Sequence, residues 1–367
     1  MNQRLLHNSL AILSILLLSA STLTILNVEA QEENSWITMT PMPKGVAGAK
    51  STVVNGKIYV IVSNINYEYD PETNTWATRT PMPTARSDGI AVAVFQNKIY
   101  VIGGRINGLA TTGINEVYDP ATDTWETKTP MPTSREDLDA NVVNDKIFLI
   151  SGLVPDPKYP ATSNIFVLTN INEVYDPISD SWTTAASIPI ASDDYASAVV
   201  DEKIYIISGS NHDIQNLTQI YNPETNAWSY GTQIPRGVQA ASAGAITGTT
   251  ALKAIYVMGG FEGFVWAVDY VQIYCLENDS WTTGIPLPTA RYDLALVVVD
   301  DKIYAIGGST GLYQTVTAQN DRYIPFRAET GPEPVPFPTT IVLALVVIIV
   351  IVGVGIFSYR IKSKRRT

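Results

Sequence analysis

The sequence predicts an all-β fold: a six-bladed propeller whose last blade is closed by the chain's own first strand, followed by one membrane-spanning helix. Three observations carry this reading. A Lys-Ile-Tyr-like strand core recurs six times, a Tyr that opens a polar turn follows each one, and a Trp recurs in the same order. Short β-branched runs punctuated by Gly, Asn, Asp and Pro fill the intervals, which leaves no room for long helices.

The first element, residues 1–30, reads as a secretory signal. Arg4 gives a positive start, Leu10 to Leu26 an apolar middle, and Val28-Glu29-Ala30 a small-x-small exit, so cleavage is expected after Ala30. An uncleaved signal anchor is the alternative. At the other end, residues 339–359 form a 21-residue run without a charge, long enough to cross a hydrocarbon core of about 30 Å. The basic tail 360–367 should stay cytoplasmic and hold the body of the protein outside the cell. Residues 328–338, with Pro332, Pro334, Pro336 and Pro338, read as a stiff stalk. The same proline motif, apolar run and basic end would also serve as a carboxyl-terminal sorting signal.

Composition narrows the function. The 367 residues hold 35 acids against 24 Lys and Arg. The ends carry six of those cations and only Glu29 among the acids, so the outward part is more acidic still. Such a surface repels phosphate backbones, which excludes nucleic acid as a partner, and disfavours lying flat on anionic lipid. One Cys and two His assemble neither a disulfide framework nor a Cys/His metal cluster, so no cofactor or metal is expected. A secreted chain with one thiol suits a bacterial or archaeal surface.

The propeller, residues 31–327, follows from the repeat. The strand cores are Lys57-Ile58-Tyr59, Lys98-Ile99-Tyr100, Lys146-Ile147-Phe148, Lys203-Ile204-Tyr205, Ala254-Ile255-Tyr256 and Lys302-Ile303-Tyr304. Tyr69, Tyr118, Tyr175 and Tyr221 then precede Asp-Pro or Asn-Pro, while Tyr274 and Tyr323 have lost that turn. Tryptophans stand at 36, 76, 125, 182, 228 and 281. Units of ~40 to 50 residues with four strands each describe propeller blades. The sixth unit lacks a Trp and Trp36 lacks a unit, so Ser35-Trp36-Ile37 should pair beside Tyr323 and remove the open edge.

From Ser35 to Phe326 these markers resemble the kelch repeat, which joins a glycine pair after an apolar strand, a Tyr before Asp-Pro and a later Trp. Departures are Val62-Ser63, Ser151-Gly152 and Ser208-Gly209 in place of the glycine pair. No Trp-Asp dipeptide supports a WD-type propeller. Most repeat Gly, Tyr and Trp residues are expected to be structural. The resemblance implies ligand binding on the face shared by the segments entering each inner strand and the loops after each second strand.

Candidate site residues lie in those segments. Arg86 with Asp88, Arg135 with Asp137, and Arg291 with Asp293 stand two apart, and Asp194 follows Ser192 in the same register. On a strand, residues two apart point the same way, so these should form a ring of mixed charge at one channel mouth. Either the arginines grip a ligand carboxylate, or the pairs neutralise one another and staple adjacent blades. Trp266, outside the repeat register, would stack on a sugar or a partner protein, or pack over the next blade. Asn216-Leu217-Thr218 and Asn278-Asp279-Ser280 are possible glycosylation acceptors.

Enzymatic readings are few. His212 is the only histidine left after the signal, too few for a copper oxidase of the galactose oxidase kind, and it stands in a loop setting typical of a solvated residue. The Ser-x-Asp-x-Gly-x-x-Trp boxes of sialidases are absent. A kelch-type sugar epimerase acting on a sialic-acid-like sugar through Glu136 beside Arg135 is the enzymatic alternative. The expected function is non-catalytic binding of a protein or glycan at the cell surface, with a structural surface-layer role as a third possibility.

Overall fold

A computed structural model describes residues 33–326 apart from 88, 161–162, 249–250, 264–265 and 312–314. The signal segment 1–30, the stalk 328–338, the apolar run 339–359 and the tail 360–367 lie outside the described residues. Among the described residues no helix is long and apolar enough to cross a membrane.

Six antiparallel four-stranded sheets make up the described chain. In the second blade, Ala91–Phe95 is innermost, then Lys98–Ile102, Asn115–Asp119 and, outermost, Thr124–Lys128. Burial follows this order. The innermost strand alternates buried and half-buried, the middle two are buried almost throughout, and the outermost is mostly exposed. Middle strands sandwiched between neighbouring blades have no solvent side, which is why Lys-Ile-Tyr-Val-Ile is apolar without alternation after its first residue.

The innermost strands Lys50–Val54, Ala91–Phe95, Ala140–Val143, Ala196–Val200, Ser242–Ile246 and Ala295–Val299 each lie beside the next, and the sixth lies beside the first. The ring therefore closes on itself. Its seam is the expected one: Ser35–Thr38 pairs antiparallel with Asn320–Ile324, and Trp36 stands opposite Tyr323 with ring centroids 5.0 Å apart.

Local sequence explains the turns. Between innermost and second strands, both central residues have positive φ at Asn55-Gly56, Gln96-Asn97, Asn144-Asp145, Asp201-Glu202 and Asp300-Asp301. This is the mirror-image turn whose twist matches paired strands, and Asn, Asp and Gly tolerate it best. At the end of the second strand, a Cβ on Gly103 (φ 70°) would meet the Arg135 carbonyl oxygen at 2.7 Å. The glycine admits the next blade's backbone.

Tryptophan and tyrosine staple neighbouring blades. Trp76, Trp125, Trp182, Trp228, Trp281 and Trp36 each donate the indole N–H to a carbonyl just past the previous blade's outermost strand, at Thr40, Thr80, Thr129, Ala186, Thr232 and Ile285, over 2.8–3.1 Å. The residue five after each of the first five repeat Tyr residues adds a second link, while Tyr323 donates to Asn34. Asp123 accepts the Tyr118 hydroxyl at 2.5 Å and the Thr80 N–H at 2.9 Å, and Asn74, Asp180, Asn226 and Asp279 repeat the arrangement.

Candidate functional site

Four short hairpins, the fingers, each numbered by the blade that carries it, follow the second strands of blades two to five: Arg105–Ile106 with Ala110–Thr111 is the second finger, Leu153–Pro155 with Phe166–Leu168 the third, Ser210–Asn211 with Asp213–Ile214 the fourth, and Phe261–Glu262 with Trp266–Ala267 the fifth. Each touches an entering segment through a backbone bridge: Arg86 with Ile106, Glu136 with Leu153, Asp193 with Ser210, and Gln239 with Phe261. Fingers and entering segments thus share one face.

The expected ring of Arg-Asp pairs is not there. Arg86, Arg135 and Arg291 have no exposed surface and turn into their own blades, where they pair with Glu116, Glu173 and Asp321 at 2.7–2.8 Å. Their amino groups also cap strand ends, as those of Arg135 do at the carbonyls of Leu149, Ser151 and Ile171. The reason is the backbone. Asp137, Asp194 and Asp293 have φ of 53°, 49° and 51°, so the chain leaves extended geometry between Arg and Asp and the two-residue rule fails. The arginines' partners Glu116, Glu173 and Asp321 lie on third strands two residues before the repeat Tyr, and Gln219 and Gln272 take that place in blades whose entering residue is Ser192 or Val238. That covariation within the chain was the available signal. Burial lowers the affinity of Arg86 for its proton, to about 10, against the attraction of Glu116.

The aspartates gather instead at the axis. Asp137, Asp194 and Asp293 line a cavity of ≈ 50 Å³ with Lys50, while Gly48, Gly89 and Ala240 occupy other positions of the rim. Backbone bonds run around it, from Ala240 N–H to Asp194 O, Asp293 N–H to Ala240 O and Gly48 N–H to Asp293 O, at 2.9–3.0 Å. Gly89 is required there, because a Cβ would meet the Asp137 nitrogen at 2.3 Å. Burial, then the charges of Asp293 and Asp193, push the Asp194 carboxyl up to about 7 against the pull of Lys50. Burial and Asp194 likewise raise Asp137 well above the usual carboxylate range. For Lys50 burial works against the ammonium, but Asp139 at 2.5 Å together with the charges of Asp194 and Asp293 outweighs it and the pKa is raised. No described group of His, Cys, Asp and Glu has metal-holding geometry. Lys50 was not legible in advance, since the first blade's entering segment departs from the repeat.

Glu136, the epimerase candidate, is also fully buried. Arg105 on the second finger grips it through Nε at 2.6 Å and through Nη2, and the guanidinium lies 4.6 Å over the Phe166 ring. It joins two fingers and does not face the channel. Asp88 and the side chain of Trp266 lie outside what the structure describes.

A cleft of ≈ 610 Å³ opens between the fourth and fifth fingers, lined by Ser210, His212, Asp213, Asn216, Gln239 and Glu262. His212 is exposed with φ 64°. Glu262 is held by Arg236 and by the Tyr270 hydroxyl at 2.7 Å.

Comparison with known proteins agrees with this architecture. The KLHDC2/KLHL20/DRC7 Kelch-repeats domain matches residues 62–260, over half the chain, and the Kelch motif matches 290–325. The chain belongs to the kelch-repeat family. Kelch-like protein terF of Aspergillus terreus is 28% identical over 185 residues, covering 46% of this chain and 38% of that protein. Kelch-like protein 28 of Homo sapiens is 40% identical over 58 residues, 16% of this chain and 10% of that protein. The kelch chain thus spans well under half the length of these curated relatives. The solved "Structure of YjhT" superposes with a TM-score of 0.67 at 16% identity, over 77% of this chain and 95% of that one, and shows a shared fold.

Proposed function

We propose that this kelch propeller is a non-catalytic binding protein that presents its finger face to a protein or glycan outside the cell. One observation carries the reading: the open cleft and the exposed finger residues, Leu109, Tyr159, Ile165 and Val167 among them, lie on this face. Of the groups first considered for acid-base chemistry, Glu136 is by contrast buried and paired with Arg105, and Asp137, Asp194 and Asp293 gather at an axial cavity of ≈ 50 Å³. A sugar needs several times that volume. The epimerase reading keeps one supporting observation, an Asp194 carboxyl near half-protonation at neutral pH beside Lys50. Turnover of an anionic sugar that disappears in Asp194→Asn would establish it.

Residues 1–30 and 339–359 support secretion and anchoring by a single carboxyl-terminal span, with the propeller outside and residues 360–367 in the cytoplasm. Binding is tested with the full chain in lipid nanodiscs against purified surface proteins and glycans. Tyr159→Ala and His212→Ala should weaken capture, whereas Glu72→Ala and Glu224→Ala in turns of the opposite face should not. The reverse pattern would remove the finger face from consideration.

A further inference from the structure

We infer that the cleft between the fourth and fifth fingers takes an uncharged, hydroxyl-rich sugar, an inference that rests on the finger-face reading and narrows its ligand. Size permits it, since ≈ 610 Å³ falls within the ~300 to 1,000 Å³ of small-ligand pockets. The wall chemistry favours it. Ser210, His212, Asp213, Asn216, Gln239 and Glu262 bring a hydroxyl, an imidazole, two amides and two carboxylates to one concavity. Sugar hydroxyls donate and accept at once, and a wall that mixes donors with acceptors satisfies both.

Charge separates this sugar from an acidic one. No Lys or Arg is among the described lining residues. The guanidinium that adjoins the cleft, Arg236, is forked onto Glu262 at 2.6 and 3.3 Å and lies 4.5 Å over the Tyr270 ring. Its charge is matched by Glu262 in an exposed pair at the rim of the cleft. Asp213, exposed on the fourth finger, would repel a ligand carboxylate at close range. A docking protein is matched less well, because the core of a protein interface is depleted in charge and this wall is mostly polar. Space is left open as well: a side chain on Gly263 would meet nothing within 4 Å.

The test titrates the full chain in detergent micelles with maltotriose, N,N′-diacetylchitobiose and, as the anionic comparator, sialyllactose. At least one uncharged sugar should bind more tightly than sialyllactose. Its affinity should fall at least tenfold in Asp213→Ala and in Gln239→Ala, about 1.4 kcal/mol each, while both variants keep the wild-type melting temperature. Tighter binding of sialyllactose, indifference to both substitutions, or no binding of either uncharged sugar overturns the inference. If neither sugar binds but a purified surface protein is captured and lost with the same substitutions, the sugar falls and the finger-face reading stands. Capture indifferent to these changes and to Tyr159→Ala overturns the reading itself.

Discussion

A guanidinium without exposed surface finds its partners only inside the protein, and the two amino groups of Arg135 find Glu173 and three carbonyls. Removing it leaves a buried carboxylate without its counter-charge, so Arg135→Met should cost about 3 to 5 kcal/mol. A lowered urea midpoint would read this out, and an unchanged one would return the arginine to the list of ligand contacts. Charge reversal at Arg86, Arg135 or Arg291 should therefore unfold the domain, and any lost capture would report that. Asp194 makes the opposite prediction. Its carboxyl titrates near 4 when unfolded and at about 7 when folded. The folded state holds the proton more tightly, so stability declines as pH rises from about 4 to 7 and is flat above. Asp194→Asn, which suits positive φ, should raise the melting temperature little at pH 4 and most at pH 8. A gain independent of pH would refute the shift. Asp279, lowered by the Thr232 N–H and then by Tyr274, and Asp123, lowered by Tyr118, act in reverse and cost stability once pH drops below their unfolded values.

The strand Ser35–Thr38 contributes more than its four residues suggest. It covers the outer edge of Asn320–Ile324, packs Trp36 against Tyr323 at a tilt and bonds Ile285 of the fifth blade. Deleting residues 31–42 should lower the melting temperature far more than shortening the third finger around Tyr159. Equal losses would mean the seam is not what closes the ring. Counting Trp and Tyr markers was enough to find this strand, because repeat composition records which strands face two neighbours and which face one. The fate of the Arg-Asp segments was not legible, since the positive φ at Asp137, Asp194 and Asp293 and the backbone bonds that tie Asp194 and Asp293 around the axis exist only in the closed ring. The fourth-to-fifth finger cleft was equally hidden. It joins non-repeating residues as distant as Ser210 and Glu262, which only the closed ring brings together.

At the scale of the whole molecule, both described ends leave from the same side. Third strands run away from the fingers, so Ile324 ends on the opposite face, and Ser35, paired with it, begins there. An anchor at 339–359 would then point the fingers away from the lipid. Epitope tags placed beside Tyr159 and in the turn at Glu224 should both be reached by antibody on intact cells, the first faster. Preferential access to Glu224 would reverse the orientation. The seam also fixes an order of events. A ribosome delivers Trp36 almost the whole length of the domain before Tyr323, and until then the earliest strand has no seat. A product cut short ahead of residue 320 is accordingly no smaller propeller but an unfastened one, with a sticky rim where its clasp should be.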